Sequence, residues 1–191
     1  MPQNPHATSS DGSLPDSIPL AQRIESAVEL DGESEVVTRA LSLMAGNNEG
    51  DSFLILVGGE HAQGILDGAP PLYWPELWGT RTLLYAWDES AAPAVIRALG
   101  NPAWRVREMA ARVIAARDLP AVAELTALIT DDTPRVRIAA ARALGAVGTM
   151  DDLDSIRTLL KDPLVEVRRG AQQARDALRA RFPKSPSTES Q

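Results

Sequence analysis

Apolar positions over residues 90–182 follow two superposed periods. Within short stretches they fall at helical spacing, as Val106, Ala110, Val113 and Ile114 do, and again Val136, Ala140, Ala143 and Leu144. At longer range the whole pattern returns. Val106-Arg107, Val136-Arg137 and Val167-Arg168 lie 30 and 31 residues apart, and Asn101, Asp131 and Asp162 each stand five residues before the valine. Fourteen residues before it are Ala92, Val122 and Leu153; eleven before, Val95, Leu125 and Ile156; seven before, Leu99, Ile129 and Leu160. Each unit carries two amphipathic helices too short to bury a face alone, so the period predicts helix pairs stacked around one continuous core.

The pattern sets first helices at 90–100, 119–130 and 151–161, and second helices at 102–117, 134–147 and 163–181. Asn101-Pro102, Thr133-Pro134 and Asp162-Pro163 read as a polar cap and a first-turn proline: the cap oxygen accepts from first-turn amides, and proline has no N–H to lose there. In the last unit Arg175 stands at the place of Ile114 and Leu144, which suits a terminal unit turning a polar face to water. Residues 19–89 keep helical spacing without the repeat. Helices are expected over 34–45, 53–66 and 77–87, as one or two divergent units, with Leu83 and Leu84 one period before Val113 and Ile114. The run FLILVGG at 53–59 also fits a buried strand. Residues 1–18 and 183–191 are polar and proline-rich and are expected to be disordered tails.

The segments NPAWRVREMAARVIA (101–115), DDTPRVRIAAARALG (131–145) and DPLVEVRRGAQQARDAL (162–178) resemble HEAT repeats, in the short form called PBS-lyase HEAT-like. The resemblance covers about residues 90–180. It implies an all-α, right-handed α-solenoid and, for function, a scaffold or adaptor that binds another protein. The family also holds phycobiliprotein-handling lyases and relatives that bind nucleic acid. The resemblance further implies a structural ladder in which Arg107, Arg137 and Arg168 tie to Asn101, Asp131 and Asp162 of neighbouring turns, planar guanidinium donors matching carboxylates.

Composition narrows the chemistry. The chain has no cysteine, which excludes disulfides, thiolate metal sites and a cysteine nucleophile and fits a reducing cytoplasm. No apolar run approaches the ~18 residues of a membrane span, and the first residues do not read as a signal peptide. Net charge is -7, unevenly shared: residues 1–92 carry 14 acidic and 3 basic side chains, residues 93–191 carry 16 basic and 12 acidic. Such asymmetry can steer a charged partner or let copies meet head to tail; the alternative is a solvated surface with an acidic leader.

Arg105 and Arg135, then Arg112 and Arg142, recur on second helices at positions expected to be exposed, and are candidate contacts for a protein partner. Tyr73, Trp74, Trp78, Tyr85, Trp87 and Trp104 cluster where the divergent and regular parts meet. They form either a core joining the two halves or an anchor site in which Trp74 and Trp78 share a helix face. A pocket near Trp78 and Trp87 would suit a small ligand. Glu108, Glu124, Asp131, Asp132 and Glu166 interrupt any basic strip in an acidic chain, which disfavours nucleic acid. His6 and His61 have no second ligand at metal spacing. Asp151, Asp152 and Asp154 follow Thr149 at a helix start, where acidic side chains offset the helix dipole. No metal, cofactor or catalytic motif is expected.

Overall fold

The computed structural model describes residues 18–183, and their eleven α-helices form five successive pairs, the second with its first helix split in two. The first pair is α1 (Leu20–Asp31) and α2 (Glu33–Met44), joined through Gly32. In the second, α3 (Asp51–Gly58) and α4 (Glu60–Leu66) precede α5 (Trp74–Thr82). The regular part follows as α6 (Ala92–Ala98) with α7 (Trp104–Arg117), α8 (Val122–Ala127) with α9 (Pro134–Val147), and α10 (Leu153–Thr158) with α11 (Val165–Arg181). Short 3-10 turns at Glu89–Ala91, Leu128–Thr130, Met150–Asp152 and Leu159–Lys161 extend the first helices. The second helices α2, α5, α7, α9 and α11 pack each on the next, so every internal pair covers two neighbours. One hydrophobic cluster runs from Ile24 to Leu178. The architecture is an all-α solenoid, with no strand among the described residues.

Where the repeat is regular, buried positions match its columns. Val95, Leu125 and Ile156 are fully buried, as are Ala110, Ala140 and Ala171. One column shifts in the last unit: Leu159 takes the buried place and Leu160 stays half-buried. Small side chains let the second helices approach closely. A methyl on Gly145 of α9 would lie 2.7 Å from the Ala174 carbonyl oxygen of α11.

The divergent part holds two pairs, and its boundaries differ from expectation. FLILVGG is helical through Gly58, with Phe53 and Val57 buried on one face of α3 four residues apart. The expected single helix over 53–66 breaks at Gly59, whose φ of 63° and ψ of -146° open the turn into α4. The helix expected at 77–87 starts earlier and stops at Thr82, yet Leu83 still reaches the core from the following turn. Helix α1 has no counterpart in the expected elements, because only Ile24 and Ala27 of its residues are buried. Most of the two expected tails lies outside the described residues.

The caps also differ. Asn101 and Asp162 do not cap helices directly. Their Oδ1 atoms accept the N–H of Ala103 and Leu164 two residues on, as Asp131 does from Thr133. These Asx turns deliver the chain into α7, α9 and α11. Ala103, Thr133 and Leu164 are the capping positions, and none makes a side-chain cap bond. Of the three prolines expected to open the repeat second helices, Pro134 alone sits in a first turn; Pro102 and Pro163 precede their helices.

Candidate functional site

The Asx turns carry a ladder down one edge of the array. Arg107 donates Nε and Nη2 to the Asp131 carboxylate of the next unit, at 2.8 and 3.0 Å. Its Nη1 reaches back to the carbonyls of Asn101 and Pro102 at 2.8 and 3.0 Å. Arg137 repeats the arrangement on Asp162 at 2.8 and 3.2 Å, and on the Asp131 and Asp132 carbonyls. Each rung thus clamps its own turn and binds the next. Both ion pairs are largely shielded: side-chain exposure is 16% and 7% for Arg107 and Asp131, 13% and 6% for Arg137 and Asp162.

The ends of the ladder differ from its middle. Asn101 makes no rung to an arginine; its amide donates to Glu76 at 2.7 Å. Arg168 holds the Asp162 and Pro163 carbonyls at 2.7 and 2.9 Å and, among the described residues, meets no further aspartate. Burial alone would raise the Asp131 carboxyl. Hydrogen bonds from Arg107 and the Thr133 N–H, with the Arg107 charge, outweigh that and hold it below its ordinary value. Asp162 is held down likewise against burial, by Arg137, the Leu164 N–H and the charges of Arg137 and Arg168.

Locked in this register, α7, α9 and α11 enclose a groove. A cleft of about 480 Å³ lies between α7 and α9, floored by Ala111, Ala115, Ala139 and Ile138 and edged by Arg112, Arg135 and Arg142. A second, of about 310 Å³, shares Glu108, Arg135, Ile138 and Arg142 and continues to Glu166, Arg169 and Gln173 on α11. Glu108 is engaged by Arg135 at 3.1 Å, and Arg142 donates to Gln173 at 2.9 Å. Arg112 and Arg169 are exposed and form no hydrogen bond or ion pair among the described residues. The groove therefore presents planar cationic donors over an apolar floor.

The aromatic residues divide. Trp78 is 2% exposed, packed over Gly58, where an added methyl would meet its ring at 2.6 Å. It is a core residue, so of the two readings of the cluster Trp78 follows the core and is no surface anchor. Trp74 is half-buried, with His61 on its ring at 4.2 Å and Tyr73 at 5.1 Å. Arg105 donates to the Tyr73 hydroxyl at 2.7 Å and lies 4.3 Å from the Trp104 ring centroid. Arg135 approaches the same ring at 5.6 Å, so Trp104 joins the aromatic cluster to the rim of the groove. Trp87 donates its indole N–H to Glu89 and lies 5.3 Å from the Arg117 guanidinium. The structure thus gathers Arg112, Arg135 and Arg142 in one groove, with Arg105 at its rim. Ile138 is not among the expected contacts, and Trp104 is expected only within the aromatic cluster. The column Arg105 and Arg135 beside Trp104 was the available signal for the last.

The acidic run after Thr149 is structural: Asp152 accepts from the Thr149 N–H and hydroxyl at 2.7 and 3.1 Å, and Asp154 pairs with Arg157. Among the described residues no helix is long and apolar enough to cross a membrane, and no group of three or more His, Cys, Asp or Glu could hold a metal ion.

Compared with known families, residues 91–178 match the family model described as HEAT repeats. No curated protein matches the chain.

Proposed function

We propose, from the premise that residues 91–178 are HEAT repeats and form a helical repeat scaffold, that this protein is a non-enzymatic adaptor of the cytoplasm that binds another protein. The binding surface is the groove along α7, α9 and α11, and its occupant is an acidic, partly apolar segment. The observation that supports this is the groove itself: Arg112 and Arg169 stand unpaired beside Arg135 and Arg142 over Ala111, Ala139 and Ile138. Carboxylates would pair with the free guanidinium groups while aliphatic side chains cover the floor.

Capture of the tagged protein from native lysate, with and without nuclease and at two salt concentrations, tests this reading. A stoichiometric protein that survives nuclease and weakens with salt is the expected result. Recovery that depends on nucleic acid, or no protein at all, refutes it.

A further inference from the structure

The ladder ends on an open fork. Arg168 sits as Arg107 and Arg137 do, with Nη1 on the two carbonyls of its own turn. Its Nε and Nη2, the atoms that grip Asp131 and Asp162 in the preceding rungs, have no partner among the described residues. Such a guanidinium is already oriented for a bidentate carboxylate, so little side-chain freedom is lost when one arrives. Around it are exposed Leu164, Val165, Lys161 and Arg169.

The opposite end of the array carries the complement. Glu25, Glu29, Asp31 and Glu35 of the α1–α2 pair are all exposed, and Leu30 beside Asp31 is 84% exposed. The two arginines of that pair are turned inward: Arg23 onto the Ile55 carbonyl, and Arg39 onto Glu49 and the Phe53 ring. Asp31 lies one residue ahead of Gly32, which opens α2; Asp131 and Asp162 lie two residues ahead of Thr133 and Leu164, which open α9 and α11. An α1–α2 pair set against α10–α11, whose outer face is polar with Arg175 paired to Asp176, would bring the Asp31 carboxylate to the edge where the next rung belongs, one residue nearer its helix than Asp131 and Asp162 are to theirs.

We propose that copies of this protein associate head to tail, the open Arg168 fork of one taking a carboxylate from the α1–α2 end of the next, with Asp31 in the rung position. The contact is heterologous, so it builds short linear assemblies instead of a closed symmetric dimer. Because it joins charges at the surface, Asp31 exposed and Arg168 half-buried, it weakens with salt.

Sedimentation of the full chain over a hundredfold concentration range, at roughly 0.02 M and 0.5 M salt, is the test. The expected result is a mass rising above 20.5 kDa with concentration at low salt and returning to it at high salt. Arg168→Glu and Asp31→Arg should each stay monomeric, and mixing them should restore assembly. The Asp31 side chain makes no hydrogen bond or ion pair among the described residues, so its variant keeps the fold where Arg168→Glu disturbs its own turn. A wild-type protein that is monomeric throughout, or an assembly unchanged in both variants, overturns the proposal.

Discussion

Asn101 donates its side-chain amide to Glu76 at 2.7 Å, at the edge where later units set an arginine on an aspartate. An aspartate at 101 would keep the turn, since its oxygen can still accept from Ala103, but would face Glu76 with a second carboxylate. Asn101→Asp should cost about 1–3 kcal/mol in urea unfolding. Glu76→Arg in the same chain should recover most of it, a coupling that the two single variants reveal when compared with the double.

Arg137→Ala leaves the shielded Asp162 carboxylate without its cation and removes the donor of two carbonyls. A loss of about 3–5 kcal/mol is expected. In calorimetry the melting temperature should fall by about 2–4 °C for each kcal/mol. Arg168→Ala gives up two carbonyl contacts, at about 0.5–1.5 kcal/mol each, and the smallest of the effects that hold Asp162 down, and should melt higher than Arg137→Ala. Equal losses would remove the inter-unit rung as the reason for the ladder.

The same carboxylates set an acid limit. Asp131 and Asp162 have lowered pKa values in the folded chain, so the unfolded chain takes up their protons first as pH falls. Their stabilisation is fully present above the unfolded value of about 3.9 and disappears as pH drops through the lower folded values. A melting curve followed from pH 7 to pH 3 should stay level and then fall below about pH 4. Asp131→Asn should start lower and fall less steeply.

Gly145→Ala sets two effects against each other. Alanine is the better helix former by about 1 kcal/mol, but its methyl would press on the α11 backbone at Ala174, and such overpacking costs about 1–3 kcal/mol. Overpacking wins because backbone has no rotamer to give. Amide hydrogen exchange should quicken along α11, and a variant more stable than the parent would show that α9 and α11 are less closely packed.

Arg112→Glu and Arg142→Glu alter exposed side chains of the groove. Unfolding free energy should move by no more than about 0.5 kcal/mol while partner capture is lost. Capture that persists in both variants would place the partner elsewhere.

The regular units were legible because their columns are strict. Val95, Leu125 and Ile156 announce a first-helix core, and the Val-Arg pairs announce the second helices with the ladder beside them. Less visible was the direction of the rungs. Spacing places Arg107 near both Asn101 and Asp131, and only three-dimensional stacking shows that its fork goes forward. Trp78 could not be assigned to core or surface from residue type, because a tryptophan serves either; the missing Cβ of Gly58 decides it. Helix α1 escaped because an end helix needs only one buried stripe, and Ile24 and Ala27 alone make too short a signal.

Each rung joins the arginine of one unit to the aspartate of the following one, and this gives the array a rule of inheritance. Excision of one complete period would hand Arg107 from Asp131 to Asp162, a residue of the same type in the same Asx turn. Duplication would add a rung without altering those on either side. Partial losses would instead leave a guanidinium facing carbonyl or water. A gene encoding such a ladder can therefore change length by whole units at little structural cost, and the reach of the surface it displays becomes open to selection in steps of about 30 residues.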